Sequence, residues 1–175
     1  MSISDRIAVM RGGKVEQYGT PEEIYLRPVT RYVATFIGSP RMDLLDGEFA
    51  RVDGAAVFRV GAAAFRLPED VAAAAADAAG GAALQLGIRP ENIVIGDDGV
   101  AATVGIVQPI GPSTYVTVNW EGGSLTARIP GISAFRPGQT VHVTLDPAGL
   151  LFFDNASGLR LESRRESRDV TTVGL

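Results

Sequence analysis

Apolar and polar residues in the first forty positions alternate in the manner of a short β-hairpin followed by helices. The apolar run over residues 7–10 and the alternating run over residues 14–18 flank Arg11-Gly12-Gly13. Two short apolar or alternating runs around a glycine-containing loop are typical of a hairpin. This pattern therefore predicts two antiparallel strands at the start of the chain.

Helix signals follow the predicted hairpin. Thr20 is placed to cap a helix that begins at the next proline, and Glu23 completes a capping box. Pro28 ends this helix, because proline cannot continue a helical hydrogen-bond pattern. A second helix is predicted over residues 31–37, with Gly38 as its natural C-terminal residue.

From residue 42 onward, the apolar residues form short runs of strand length, separated by turns that contain glycine or proline. One helix is expected over residues 70–79, because alanine is the best helix former. The expected strands cover residues 44–52, 56–60, 63–67, 84–89, 100–110, 113–120, 124–129, 141–145 and 150–153. Closely spaced short strands predict a mainly β fold, either a barrel or a sandwich. The polar tail over residues 162–175 is predicted to be largely disordered.

The composition restricts the chemistry that this chain can perform. Among its 175 residues there is no cysteine and one histidine, so disulfides, thiolate nucleophiles and paired histidine ligands are excluded. The formal net charge of −4 argues against a nucleic-acid partner. Glycine is abundant, at 21 residues, which fits many turns between short strands. With no apolar run of membrane-spanning length and no signal peptide, we expect a soluble intracellular protein.

Candidate catalytic residues are few. Gly12-Gly13-Lys14 resembles the end of a phosphate-binding loop, but the leading glycine and the following Ser or Thr are missing. His142 alternates with threonines on the predicted outer face of a strand, so we interpret it as a solvated residue. Trp120 shares a face with valines and is expected in the core or an interface. An independent enzyme is therefore disfavoured.

Two ordered groups of segments resemble one known family. The first group is Ser4-Asp5-Arg6-Ile7-Ala8-Val9-Met10, Gly13-Lys14-Val15-Glu16-Gln17-Tyr18-Gly19-Thr20-Pro21-Glu22-Glu23-Ile24-Tyr25, Pro28, and Phe36-Ile37-Gly38-Ser39-Pro40-Arg41-Met42-Asp43. The second group is Leu86-Gly87-Ile88-Arg89-Pro90-Glu91-Asn92-Ile93, Val107-Gln108-Pro109-Ile110-Gly111, Thr114-Tyr115-Val116, Phe135-Arg136-Pro137-Gly138, Asp146-Pro147 and Phe153-Asp154. Together they resemble the C-terminal part of the ATP-binding subunits of carbohydrate-type, maltose-importer-like ABC transporters. The family usually has Asn at the position of Asp43 and, more often than not, His at the position of Asn92.

The resemblance implies a division into three parts. Residues 1–40 would be the C-terminal remnant of an α/β nucleotide-binding domain, consisting of a hairpin and helices. Residues 41–161 would be an OB-fold, TOBE-type β-barrel regulatory domain, and residues 162–175 the tail. In the family, the phosphate loop, the signature motif, the Mg-binding Asp, the catalytic Glu and the switch His lie upstream of the Ser-Asp-Arg segment. We therefore expect no catalytic, cofactor-binding or metal-binding residue here, whereas the full-length subunit would use ATP and Mg.

The resemblance also implies partners. The regulatory domain would pair with its copy in a homodimer. The full transporter would add membrane permease subunits and a solute-binding protein, on the cytoplasmic side of a bacterial inner membrane. Regulatory proteins dock on this domain in some members. The transported solute, a sugar or a related solute such as glycerol phosphate, is not specified by this chain.

Five residues are the candidate dimer or regulatory contacts. They are Arg89, Glu91, Asn92, Gly111 and Phe135. The break at Gly111-Pro112 and the loop over residues 131–138 are candidates for contact between copies, with ordinary turns as the alternative. For Arg89-Pro90-Glu91 we favour a structural role, either positioning a neighbouring strand or forming an ion pair.

A second hypothesis is a small-ligand sensor, because TOBE domains of molybdate-type relatives bind oxyanions at their dimer interface. We rank it lower, since this chain is acidic and its matching segments are of the sugar-importer type.

Overall fold

The computed structural model describes residues 4–80 and 83–161, so the predicted disordered tail over residues 162–175 lies outside the described residues. The predicted N-terminal hairpin is confirmed: strands β1 (Ile7–Arg11) and β2 (Lys14–Gly19) pair antiparallel. None of the helices in the described ranges is long and apolar enough to cross a membrane.

Both predicted helices follow the hairpin as α1 (Pro21–Leu26) and α2 (Arg31–Phe36). The capping box is formed: the Glu23 N–H donates to Thr20 Oγ1 at 3.2 Å, and the Thr20 N–H donates to the Glu23 carboxylate at 2.8 Å. This hydrogen bonding holds the pKa of Glu23 below its usual value. The two helices and the hairpin enclose a small core of Val9, Ile24 and Val33. We call residues 4–40 the hairpin–helix unit.

The rest of the described chain is mainly β, as predicted. One helix, α3 (Glu69–Ala79), interrupts the strands and ends at Gly80, whose φ of 57° is left-handed. The strands are β3 (Asp43–Val52), β4 (Ala55–Val60), β5 (Ala63–Arg66), β6 (Leu84–Ile88), β7 (Ile93–Gly96), β8 (Val100–Ile110), β9 (Ser113–Trp120), β10 (Gly123–Pro130), β11 (Thr140–Leu145) and β12 (Leu151–Asp154). Strand β7 was not predicted from the sequence.

These strands form two five-stranded antiparallel sheets within the described residues. One sheet has the order β12-β6-β3-β4-β5, and the other has the order β10-β9-β8-β11-β7. β3 pairs with β6 through residues 43–47 and with β4 through residues 48–52, so it changes partner at Gly47. Glycine suits such a point because neighbouring backbone approaches closely there.

A single hydrophobic core lies between the two sheets. It combines Phe58, Phe65 and Leu86 of the first sheet with Val116 and Leu125 of the second, all almost fully buried. Trp120 packs edge-to-face on Phe65, with ring centroids 5.6 Å apart, as expected for a core or interface residue. His142 is half-buried on β11. Burial of this shared core makes the two sheets one unit.

Candidate functional site

Arg89 follows β6 and binds the ends of both short helices. Only 5% of this residue is exposed. Its guanidinium donates from Nη1 to the Ile37 carbonyl at 3.1 Å and from Nη2 to the Tyr25 carbonyl at 2.5 Å. Carbonyls at a helix C-terminus lack intrahelical partners and carry partial negative charge, so a cation stabilises them. Arg89 therefore caps α1 and α2 together.

Tyr25 completes this arrangement. The Arg89 guanidinium carbon lies 3.5 Å from the centre of the Tyr25 ring, within the range of a cation–π contact. The Tyr25 hydroxyl donates to the Glu91 carboxylate. Burial, followed by this hydrogen bond, raises the pKa of Tyr25, and burial lowers the pKa of Arg89. We call Tyr25, Arg89, Glu91 and Asn92 the helix-docking cluster.

Asn92 joins the same cluster to the segment before β12. A Cβ atom placed on Gly149 would lie 2.0 Å from the Asn92 amide nitrogen, so the side chain rests directly on the glycine backbone. Tyr25, Arg89, Glu91 and Asn92 line part of a cleft of about 240 Å³. The structure thus brings three of the five predicted contact residues together.

The structural role favoured for Arg89-Pro90-Glu91 over ligand binding stays a prediction, and the structure gives the contacts that these residues make. Arg89 binds helix-end carbonyls rather than a neighbouring strand, and the ion pairs among the described residues do not include it. Glu91 binds the Tyr25 hydroxyl instead. The physical reason is that the helix ends reach Arg89 from a distant part of the chain, which local sequence does not reveal.

Gly111 and Phe135 belong to a second cluster. Gly111 and Pro112 form the turn between β8 and β9, and the Gly131 N–H donates to the Pro112 carbonyl at 2.8 Å. The beginning of the loop over residues 131–138 thereby lies against this turn. Phe135 is half-buried and packs on the main core, whereas Gly111 is exposed. The turn and the beginning of the loop, predicted separately, are therefore adjacent.

Thr114 is the residue that sequence reasoning missed in this second cluster. It is fully buried, and its hydroxyl donates to the Gly131 carbonyl at 2.7 Å while accepting from the Ser133 N–H at 3.2 Å. The Phe135 N–H then donates to the Ser133 hydroxyl at 3.1 Å. These bonds fix the beginning of the loop. A threonine in a strand gives no sequence signal for this role.

Arg31 provides another link between the hairpin–helix unit and the two large sheets. Its guanidinium donates to Gln85 Oε1 at 3.1 Å and to the Asn155 carbonyl at 3.1 Å. Gln85 and Asn155 in turn donate to the Asp46 carboxylate, at 2.9 and 3.2 Å. The Arg31 backbone N–H also donates to the Gly158 carbonyl at 2.8 Å. The unit is therefore held at α2 as well as at Arg89.

Asp43 connects β3 to the exposed edge of the other sheet. β10 is an edge strand, and its Thr126 N–H donates to the Asp43 carboxylate at 2.9 Å. Burial raises the pKa of Asp43 above its ordinary value of 3.8, and the Thr126 hydrogen bond only partly offsets this effect. The carboxylate thus satisfies an edge N–H at the cost of losing hydration.

We expect Asp43→Asn to be more stable than the wild type at pH 7. An acid whose pKa is raised by folding contributes stability that is fully present below its unfolded pKa and is lost as pH rises through the folded pKa. Asparagine keeps an acceptor for the Thr126 N–H without the buried charge. In thermal melts from pH 7 down to about pH 4, the difference in Tm between Asp43→Asn and the wild type should become smaller as the pH falls. Asp97→Asn, at an exposed turn, serves as the control; a variant less stable than the wild type at pH 7 would contradict this account.

Comparison with known families agrees with the fold. The MalK OB fold domain family matches residues 38–93, and the TOBE domain family matches residues 86–153. The mainly β fold predicted from the sequence is therefore confirmed as an OB/TOBE fold. The chain therefore contains a MalK OB fold domain followed by a TOBE domain, which is consistent with the C-terminal part of an ABC importer ATP-binding subunit.

Two curated relatives are similar over nearly the whole chain. The sn-glycerol-3-phosphate import ATP-binding protein UgpC of Yersinia pestis bv. Antiqua (strain Antiqua) is 38% identical over 164 residues, which cover 93% of this chain and 44% of that protein. UgpC 2 of Agrobacterium fabrum is 38% identical over 165 residues, covering 93% of this chain and 43% of that protein. The chain therefore spans less than half the length of these relatives.

A solved structure, that of the cytoplasmic molybdate-binding protein ModG with molybdate bound, superposes on 63% of this chain. The TM-score is 0.46 and the sequence identity is 12%. At this level of similarity the match bears on neither ligand nor assembly.

Proposed function

We propose that this chain is a non-catalytic dimerisation and regulatory module of an ABC importer ATP-binding subunit. The observation that carries the proposal is the pair of adjoining family matches over residues 38–153, MalK OB fold followed by TOBE. In this proposal residues 1–40 adjoin the nucleotide-binding domain of the subunit, and residues 41–161 form the regulatory barrel.

The geometry of the helix-docking cluster supports a positioning role rather than a chemical one. The Arg89 guanidinium is bound to two helix-end carbonyls, and the Glu91 carboxylate is bound to Tyr25. These charged groups fix the orientation of the hairpin–helix unit on the barrel. A domain that holds two subunits together while they move relative to each other needs such a rigid attachment.

The parent subunit in this proposal uses ATP and Mg in its nucleotide-binding domain to drive solute import. Its solute is a sugar or a related compound such as glycerol phosphate, in line with the names of the relatives. Its partners are a second copy, membrane permease subunits, a solute-binding protein and, in a regulated transporter, a regulatory protein. It works at the cytoplasmic face of the bacterial inner membrane. Within the barrel, Gly111 and Phe135 are the proposed contact residues.

The proposal is tested by co-expressing two copies of the chain with different affinity tags. We expect purification through one tag to retain the other copy, and we expect the purified protein neither to bind nor to hydrolyse Mg-ATP. Nucleotide hydrolysis that persists in pure protein would overturn the non-catalytic assignment. A thermal shift with molybdate, and none with buffer alone, would favour the oxyanion-sensor hypothesis instead.

A further inference from the structure

The chain continues the first sheet beyond β12. The Asp154 carboxylate accepts a hydrogen bond from the Ser157 N–H at 2.7 Å and another from the Ser157 hydroxyl, so the chain turns back on itself. The Asp154 N–H then donates to the Leu159 carbonyl at 2.9 Å, and the Leu161 N–H donates to a carbonyl of β12 at 2.8 Å. Residues 157–161 therefore run antiparallel to β12 and cover its edge. We call residues 157–161 the strap.

The opposite edge of the strap binds the connection between α1 and α2. The Arg31 N–H donates to the Gly158 carbonyl at 2.8 Å, and the Arg160 N–H donates to the Val29 carbonyl at 3.0 Å. These two bonds alternate along the strap with the two bonds to β12, as in a strand that lies between two neighbours. The strap thus joins the hairpin–helix unit to the first sheet through the backbone.

Gly158 lets the strap lie against Arg31. Gly158 is buried with a φ of 73°, and a Cβ atom there would lie 3.0 Å from Arg31 Nε. The Arg31 guanidinium is not free to move away, because it donates to Gln85 and Asn155. Close packing at a left-handed residue requires glycine at this position. The strap is therefore fitted to the hairpin–helix unit rather than merely adjacent to it.

The strap buries few apolar side chains. Leu159 is 55% exposed, and Leu161 is only partly buried against the main core. Phe153 of the neighbouring β12, by contrast, is fully buried. A segment that is held by backbone hydrogen bonds and buries little apolar surface opens at a lower free energy than the core strands. Opening of the strap would release the connection between α1 and α2 while leaving the bonds of Arg89 in place.

We propose that the strap is a releasable clamp: it opens separately from the rest of the described fold, and its docked state fixes the connection between α1 and α2 on the first sheet. The hairpin–helix unit then has two attachments of different kinds. The Arg89 attachment is buried and permanent, whereas the strap attachment is peripheral and reversible, so the strap sets how firmly the unit is held. This inference goes beyond the proposed function, because it concerns a movement within one chain and holds whether or not two copies associate.

Amide hydrogen exchange of the full chain, followed residue by residue by NMR, tests the separate opening. In the wild type, we expect the N–H groups of Arg31, Arg160 and Leu161 to exchange through one shared opening. The free energy of this opening should lie below that of the N–H groups of β9, which lies inside the second sheet. If the three N–H groups exchange only together with those of β9, the strap does not open separately and the inference is wrong.

Arg160→Pro and Arg160→Ala form a matched pair of variants. Both remove the Arg160 side chain, but only proline also removes the N–H that donates to Val29. We expect exchange at the Arg31 N–H to be roughly five- to tenfold faster in Arg160→Pro than in Arg160→Ala, as for one lost backbone hydrogen bond. Exchange at the N–H groups of α2 should also accelerate, whereas exchange in β9 should not change.

Two results with these variants would overturn the inference. Equal exchange at Arg31 in both variants would show that the strap does not fix the connection between α1 and α2. Faster exchange at Arg31 with no change in the rest of α2 would show that the strap opens without loosening the hairpin–helix unit. If Arg160→Pro does not fold, the wild-type measurement still decides, because it compares the strap with β9 within one protein.

Discussion

Replacing Arg89 with alanine should destabilise the chain by about 3–5 kcal/mol, because each buried acceptor left without a donor costs about 1–3 kcal/mol and two are left. The substitution leaves the Tyr25 and Ile37 carbonyls without their buried donor. It also removes the cation from beneath the Tyr25 ring. In a chain of this size the loss corresponds to a decrease in Tm of about 6–20 °C. Denaturant unfolding measures the free energy directly.

Arg59→Ala is the matched control for Arg89. Arg59 pairs with Glu48, but both side chains are more than half exposed, so we expect a loss of at most about 1 kcal/mol. Amide hydrogen exchange should also distinguish Arg89→Ala from Arg59→Ala. Exchange at α1 and α2 should accelerate in Arg89→Ala more than exchange in the barrel strands. Equal stabilities for the two variants would show that Arg89 does not fix the helices.

Replacing Gly47 with alanine should cost about 3 kcal/mol, because the added methyl group has no space. Its Cβ would lie 2.3 Å from the Arg59 carbonyl and 2.5 Å from the Phe58 ring. The first of these is backbone, which cannot rotate away, so β3 and β4 would have to separate where β3 changes partner. Thermal unfolding should show this loss as a decrease in Tm of about 6–12 °C.

Gly96→Ala provides the comparison for Gly47. Gly96 also lies in a strand, but a Cβ there would meet nothing within 4 Å. We expect the free energy of unfolding of Gly96→Ala to stay within about 0.5 kcal/mol of the wild-type value, since alanine does not destabilise a strand relative to glycine. If Gly47→Ala were as mild as Gly96→Ala, the two strands would not approach as closely as the structure shows.

Local patterns predicted most of the elements. The capping box at Thr20 and Glu23, the alanine helix before Gly80 and the alternation in β9 each depend on residues close in sequence. The resemblance then supplied the family, because its segments occur in the right order along the chain. β7 was missed, since its four residues lie between two turns and show little alternation.

Contacts between distant segments could not be predicted in the same way. Arg89 bonds residues 52 and 64 positions away, and Asp43 bonds Thr126 across 83 positions. Neither partner is marked by a motif, because a backbone carbonyl or N–H looks the same in every residue. The exposed loop over residues 131–138 was predicted, but its attachment to the buried Thr114 required the structure.

The central claim is that this chain associates with a second copy of itself, and light scattering after size exclusion tests it most directly. At high protein concentration we expect a mass twice the 18.4 kDa of one chain, without added nucleotide or ligand. Dilution should shift the population towards the single chain by mass action. A mass of one chain at every concentration would contradict the account.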